Sequence, residues 1–210
     1  SDLIEFGGRG GDITFLAPDP HKIAHKIPLA SPRLMEDLYS ISFEQILDYL
    51  AELGPRLALK DNAYLQEALH YSYDTAPTTK PIMDRFYEDL PFMFDKARIR
   101  GMVDFNIGID YLEGWVEQEI NGSRVGIRAY GARQLHIVAG NGPVLGALTI
   151  IRSAVTRGDT IIKVPSNDPF TTGAIARTMV DMAPDHPVTR HLAVAYWRGG
   201  DEALESQIYQ

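Results

Sequence analysis

Lys163 closes the apolar run Thr160-Ile161-Ile162, and no carboxylate follows it until Asp168. In a dinucleotide-binding strand-helix-strand unit, the residue at the end of the second strand meets the adenosine ribose. An Asp or Glu there hydrogen-bonds the 2′-hydroxyl of NAD, whereas a cation without an acid suits the 2′-phosphate of NADP. Lys163 therefore fits a phosphorylated ribose; a solvated strand end is the plainer alternative. Upstream stands Gly140-Asn141-Gly142-Pro143-Val144-Leu145-Gly146, whose GxGxxxG spacing is one residue off the usual dinucleotide fingerprint. These glycines suit either a pyrophosphate at a helix N-terminus or a tight turn from strand to helix.

The surrounding elements must position these residues. Leu135 to Ala139 is a nearly continuous apolar run, expected for a parallel strand buried on both faces. Pro143 suits a first helical position, and Val144, Leu145, Leu148, Ile151, Ala154 and Val155 recur at helical spacing until Arg157-Gly158-Asp159. Thr160-Ile161-Ile162 is the next strand. Asp168-Pro169 reads as an N-cap and first-turn proline, leading into a helix over Thr172 to Met182 with Ile175, Ala176, Met179 and Val180 inward. His191 to Trp197 reads as a third parallel strand. Trp197-Arg198-Gly199-Gly200-Asp201 turns it into another capped helix. The fold class is α/β: a helical lead-in, then the start of a Rossmann-like parallel sheet.

Residues 42–121 read mostly as helices, opened by a capping box from Ser42 to Gln45 and first stopped by Gly54-Pro55. Asn121-Gly122-Ser123 is a turn, and Arg124 to Tyr130 alternates like a half-exposed strand. This divides the chain into a strand, loop and helix arm, residues 1–123, and a partial dinucleotide-binding domain, residues 124–210. Other candidates read as structural. Gly7-Gly8-Arg9-Gly10-Gly11 lacks the Gly-Lys-Ser/Thr of a P-loop, and the strand Ile13 to Leu16 follows it, so a hinge is expected. His21 and His25 have metal-ligand spacing on a helix, but Pro18, Pro20 and Pro28 argue for exposed loop histidines. His136 reads as a hydrogen-bonded core histidine. Tyr71, Tyr73, Phe86, Tyr87, Phe92 and Phe94 suit core packing or an acyl channel, and Asp110, Glu117 and Glu119 a solvated face.

Taken in order, VAGNGPVLGALTIIRSAV, TIIKVPSNDPFTTGAIARTM and HLAVAYWRGGD resemble the aldehyde dehydrogenase superfamily. Within it they look most like the long-chain acyl-CoA (fatty-acid) reductases of the bacterial luminescence type, over about residues 110–210. The chain keeps the family's Asn at Asn141, its later Pro at Pro143 and its Lys at Lys163; Gly140 replaces the family's Trp, and Ser166 stands where many NAD-preferring members carry a ribose-binding Glu. The resemblance implies reduction of a fatty acyl thioester, delivered as acyl-CoA or an acyl-enzyme donor, to an aldehyde through a cysteine acyl-enzyme. NADPH is the implied reductant, with NAD possible, and a homo-oligomer the implied assembly. It assigns Asn141 as an oxyanion donor, and Lys163, Ser166, Arg198 and Gly199 to the cofactor. The chain has no cysteine, so the sequence is expected to be the N-terminal, truncated part of a longer enzyme. The alternative is a catalytically inactive protein of the same fold that binds a nucleotide or a partner.

Composition bounds the rest. A hydrophobic content of 45% over 210 residues suffices for a core. The net charge of −8, with no basic run, argues against nucleic acid. No apolar run reaches the ~20 residues of a membrane span. Absence of cysteine fits a cytoplasmic chain.

Overall fold

The computed structural model describes residues 2–7, 14–27, 31–140 and 142–209. The chain opens with an antiparallel pair, β1 (Leu3–Gly7) and β2 (Thr14–Pro18), with Phe6 opposite Phe15. Residues 8–11 of the expected hinge lie outside the described residues. The next segment is a helix, where a loop was expected. In α1 (Pro20–Ile23), Asp19 accepts from the His21 N–H at 3.1 Å and Pro20 takes the first turn, where a missing N–H costs nothing. A 3-10 turn (Ala24–Lys26) continues it. His21 is exposed and pairs with Asp201 at 2.8 Å.

The helical layer comprises α2 (Glu36–Ser40), α3 (Phe43–Arg56), α4 (Ala63–Thr75), α5 (Lys80–Met93), α6 (Lys96–Asn106) and α7 (Ile109–Glu113). The capping box forms as read: Ser42 Oγ accepts from Gln45 N–H, and Gln45 Oε1 accepts from Ser42 N–H at 2.8 Å. Helix α3 does not stop at Gly54-Pro55 but runs to Arg56. Pro55 sits inside the last turn, where its ring forgoes one N–H bond to the preceding turn without ending the helix. Gly54 is needed because a Cβ there would lie 3.1 Å from Phe94 Cβ and 3.2 Å from the Pro91 carbonyl. The six aromatic residues do not share one environment: Tyr87 and Phe94 are fully buried in the core, while Phe92 and Tyr71 are exposed.

Residues 116–120, read with the helices, form a strand instead. β3 (Val116–Ile120) pairs antiparallel with β4 (Ser123–Ile127) through Asn121 and Gly122, both at positive φ, as a two-residue hairpin turn demands. The hairpin stands apart from the parallel sheet.

The second half holds β5 (Arg133–Ile137), α8 (Val144–Val155), β6 (Asp159–Lys163), α9 (Thr171–Met182), α10 (Pro187–Arg190), β7 (Leu192–Ala195) and α11 (Glu202–Ile208). The three strands are parallel in the order β5-β6-β7. β6 is buried on both faces, but β5 is the sheet edge and its Ile137 is 63% exposed, so the expectation of a doubly buried β5 fails in this chain. One face of the sheet packs under α8, α9 and the helical layer in a single core. The other is covered by α11 and the Ala24 turn, with Trp197 at its centre.

Helix α9 starts at Thr171, three residues after Asp168, and its inward face is Thr171, Ala174, Ile175, Thr178 and Met179. Val180, expected inside, is 51% exposed. The buried threonines make this face hard to read, because each satisfies its hydroxyl locally: Thr178 Oγ1 donates to the Ala174 carbonyl at 2.9 Å. Where α8 meets α9, a Cβ on Gly146 would sit 2.1 Å from Thr172 Oγ1.

Two buried polar groups tie the layers together. The Arg157 guanidinium, 6% exposed, donates to the Leu112 carbonyl at 2.9 Å and the Ile41 carbonyl at 3.0 Å, and pairs with Glu113. His191, 5% exposed, lies between two carboxylates, with Nδ1 2.9 Å from Asp159 and Nε2 2.7 Å from Asp37.

Candidate functional site

The parallel register places Ile137, Lys163 and Ala195 side by side at the carboxyl ends of the three strands. The loops that follow leave from one edge, held by Val138 N–H to the Lys163 carbonyl and Val164 N–H to the Ala195 carbonyl, each at 3.0 Å. In open parallel sheets this edge is where ligands bind.

Lys163 is half-buried, with Nζ 5.4 Å from the Trp197 ring centre and 6.0 Å from that of Tyr196. Both fall within cation–π range. Among the described residues no carboxylate comes within 4.0 Å of the ammonium. Burial lowers its pKa, and the nearby Glu205 carboxylate pulls it partly back. A desolvated cation without a close ion partner is a receptor for an anion.

The loop after β6 turns at once, Asp168 N–H reaching the Pro165 carbonyl at 3.2 Å. Ser166 sits half-buried in that turn. Asn167 Nδ2 donates to the Gly140 carbonyl, stapling this loop to the one after β5. A Cβ on Gly140 would lie 1.5 Å from Asn167 Oδ1, so a side chain at 140 and this placement of Asn167 exclude each other. With Gly146 packed on Thr172, two of the three GxGxxxG glycines serve close side-chain approach. Asn141, between them, lies outside the described residues.

Asp168 is 8% exposed and accepts from both the Thr171 N–H, at 3.2 Å, and the Thr171 hydroxyl. Burial raises its pKa against those bonds. The Thr171 hydroxyl continues to Tyr87 OH, itself 3.0 Å from Ser72 Oγ. Contrary to the sequence reading, Asp168 is therefore not the N-cap and Pro169 not the first helical residue: the helix begins at Thr171 after Phe170, and Asp168 instead anchors a network that fixes the loop against α4 and α5. His136 is half-buried, bonded to Gln134 Oε1 at 2.9 Å, with its pKa lowered by burial and by Arg152.

On the third loop Arg198 and Gly199 are exposed; a Cβ on Gly199 would meet nothing within 4 Å, and Gly200 has φ +90°. The backbone there is open to close approach. The fold brings Lys163 against the start of this loop, through Trp197. Three participants were missed in the sequence: Tyr196 and Trp197 as ring partners of the lysine, and Glu205 on α11. Glu205 Oε1 accepts from Trp197 Nε1 and from Gly200 N–H, each at 3.4 Å.

The backbone architecture is that of aldehyde dehydrogenases. The chain superposes on 3,6-anhydro-L-galactose dehydrogenase in complex with NAP with a TM-score of 0.64 at 13% identity, covering 98% of this chain and 41% of that one. Gamma-glutamyl phosphate reductase from Thermotoga maritima gives 0.58 at 11% identity, covering 91% and 45%. In sequence, the long-chain acyl-protein thioester reductase of Photorhabdus luminescens is 44% identical over 86 residues, 40% of this chain and 18% of that protein. The Aliivibrio fischeri protein of the same name is 26% identical over 181 residues, 82% of this chain and 36% of that protein. The chain thus spans well under half the length of these relatives. The family model for the LuxC acyl-CoA reductases matches residues 38–210, and with that match the chain belongs to this family.

Proposed function

We propose that this chain contributes the cofactor-binding part of an NADPH-dependent reductase that converts a fatty acyl thioester to an aldehyde. The observation that carries the reading is Lys163: a half-buried ammonium at the carboxyl edge of the parallel sheet, faced by two aromatic rings and, among the described residues, by no carboxylate within 4.0 Å. Those features fit the ribose 2′-phosphate of a nicotinamide dinucleotide. NADPH would supply the hydride that reduces the acyl group. Lys163 would hold the 2′-phosphate. Ser166 would leave room where an acid would repel it, and Arg198 and Gly199 would meet the phosphates beside the open turn.

Asn141 would donate its side-chain amide to the oxyanion formed at the acyl carbonyl, a contact worth about 3 kcal/mol in the transition state. The acyl group would be carried on a cysteine outside these residues, since the chain has none. The acyl donor would be fatty acyl-CoA or an acyl-enzyme, and the working enzyme a cytoplasmic homo-oligomer. The missing cysteine also favours a second reading, a nucleotide-binding protein of this fold without thioester chemistry. Trapping a covalent acyl-enzyme on the full-length protein separates the two.

The test of the cofactor reading is a paired titration of NADPH and NADH against wild type and Lys163→Glu. Tighter NADPH binding that the substitution weakens at least about tenfold supports it. A folded protein that binds neither nucleotide refutes it.

A further inference from the structure

Glu205 shares Trp197 with Lys163. The indole presents its face to the ammonium at 5.4 Å and its N–H to the Glu205 carboxylate at 3.4 Å. The carboxylate also takes the Gly200 N–H at 3.4 Å, from the turn that carries Arg198 and Gly199. Both bonds fall on Oε1 and come from neutral donors, and a further neutral bond comes from the Tyr209 hydroxyl, so the carboxylate keeps its negative charge without a cationic partner in contact. Among the described residues Glu205 has no ion pair within 4.0 Å. Its field is felt by Lys163. The acid missing from the loop after β6, where Ser166 stands, is thus present in space, delivered from α11.

We propose, building on the cofactor reading above, that Glu205 is the specificity-determining residue of this site, opposing a ribose 2′-phosphate and accepting from a ribose 2′-hydroxyl. Lys163 and Glu205 then act as opposed determinants on either side of one indole. Lys163 favours the phosphorylated dinucleotide, and Glu205 limits that preference so that NADH is also accepted. The site is a dual-cofactor site whose balance is set by a residue more than forty positions beyond the lysine in the chain.

The experiment is a direct binding titration of the full-length protein carrying this sequence with NADPH and NADH, read by quenching of tryptophan emission and by calorimetry. Wild type is compared with Glu205→Gln and Glu205→Asp. Gln keeps an Oε1 acceptor for Trp197 and Gly200 and removes only the charge; Asp keeps the charge. The expected result is that Glu205→Gln shifts the NADPH-to-NADH affinity ratio toward NADPH by about tenfold, more at low salt than at high, while Glu205→Asp shifts it less. A ratio unchanged within about twofold in Glu205→Gln, with NADPH still bound by wild type, overturns the inference and leaves the Lys163 reading intact. Equal losses of both nucleotides in Glu205→Gln would make Glu205 a support of the turn and would also overturn it. If wild type binds neither nucleotide, the cofactor reading falls first and this inference falls with it.

Discussion

His191 offers a sharp test of the packing between the sheet and the helical layer. It lies between Asp159 on β6 and Asp37 on α2, at 2.9 and 2.7 Å, and Arg190 approaches the other oxygen of Asp37 at 3.4 Å. Burial disfavours the imidazolium, but the two carboxylates outweigh it, so the folded pKa is raised. The protonated ring then donates from both nitrogens. The linkage sign follows: the stabilisation is fully present below the unfolded value of about 6.5 and is lost as pH rises through the higher folded value. Once the proton leaves, one ring nitrogen turns a lone pair toward a carboxylate. His191→Gln removes the charge and leaves one donor, with an acceptor facing the other acid. A charge-assisted bond is worth about 1.5–3 kcal/mol, so the substitution should cost about 3 kcal/mol near pH 6. That gap should narrow as pH rises through the raised folded value, where wild type loses its own proton. Urea denaturation across that range measures the gap, and an NMR titration of the ring reads the pKa directly. A gap constant with pH, or a ring titrating below about 6.5, refutes the reasoning.

Three further substitutions test the fold. Gly146→Ala should destabilise by about 1–3 kcal/mol, because its Cβ would overlap Thr172 Oγ1 in a closed helix contact. Gly173→Ala on α9 is its control: a Cβ there meets nothing within 4 Å, so the stability should stay or rise by up to about 1 kcal/mol. Arg157→Lys keeps the charge but cannot serve the Leu112 and Ile41 carbonyls together, and should cost about 2–3 kcal/mol in thermal or urea unfolding.

What was legible in the sequence was whatever is decided locally. The Ser42–Gln45 box, the Asp201 cap and the apolar run ending at Lys163 each depend on a few neighbouring residues, and each stands where it was read. Strand β3 was not legible, because Glu117, Gln118, Glu119 and Ile120 are all exposed and leave no alternating pattern; only the Asn-Gly turn announced it. The short helix at Pro20 was hidden by prolines that favour a first turn as readily as they break an interior one. At the site, the lysine could be found by its position at a strand end. Glu205 and Asn167 could not, since their partners Trp197 and Gly140 are assigned by the sheet and the loop staple.

The Tyr196 ring has a second neighbourhood. Behind it stand Phe6 at 4.8 Å and Phe15 at 4.9 Å, and Phe15 continues to Phe170 at 5.7 Å, which meets Tyr71 at 5.2 Å. The first two belong to the N-terminal hairpin, which precedes residue 38, where the family match begins. The hairpin thus lies ahead of the sequence match yet packs its rings onto residues within it. Recombination between relatives feels this packing. A chimera that exchanges the first eighteen residues alone would face Tyr196 and Phe170 with foreign side chains. Positions 6, 15, 170 and 196 should travel together in any exchange.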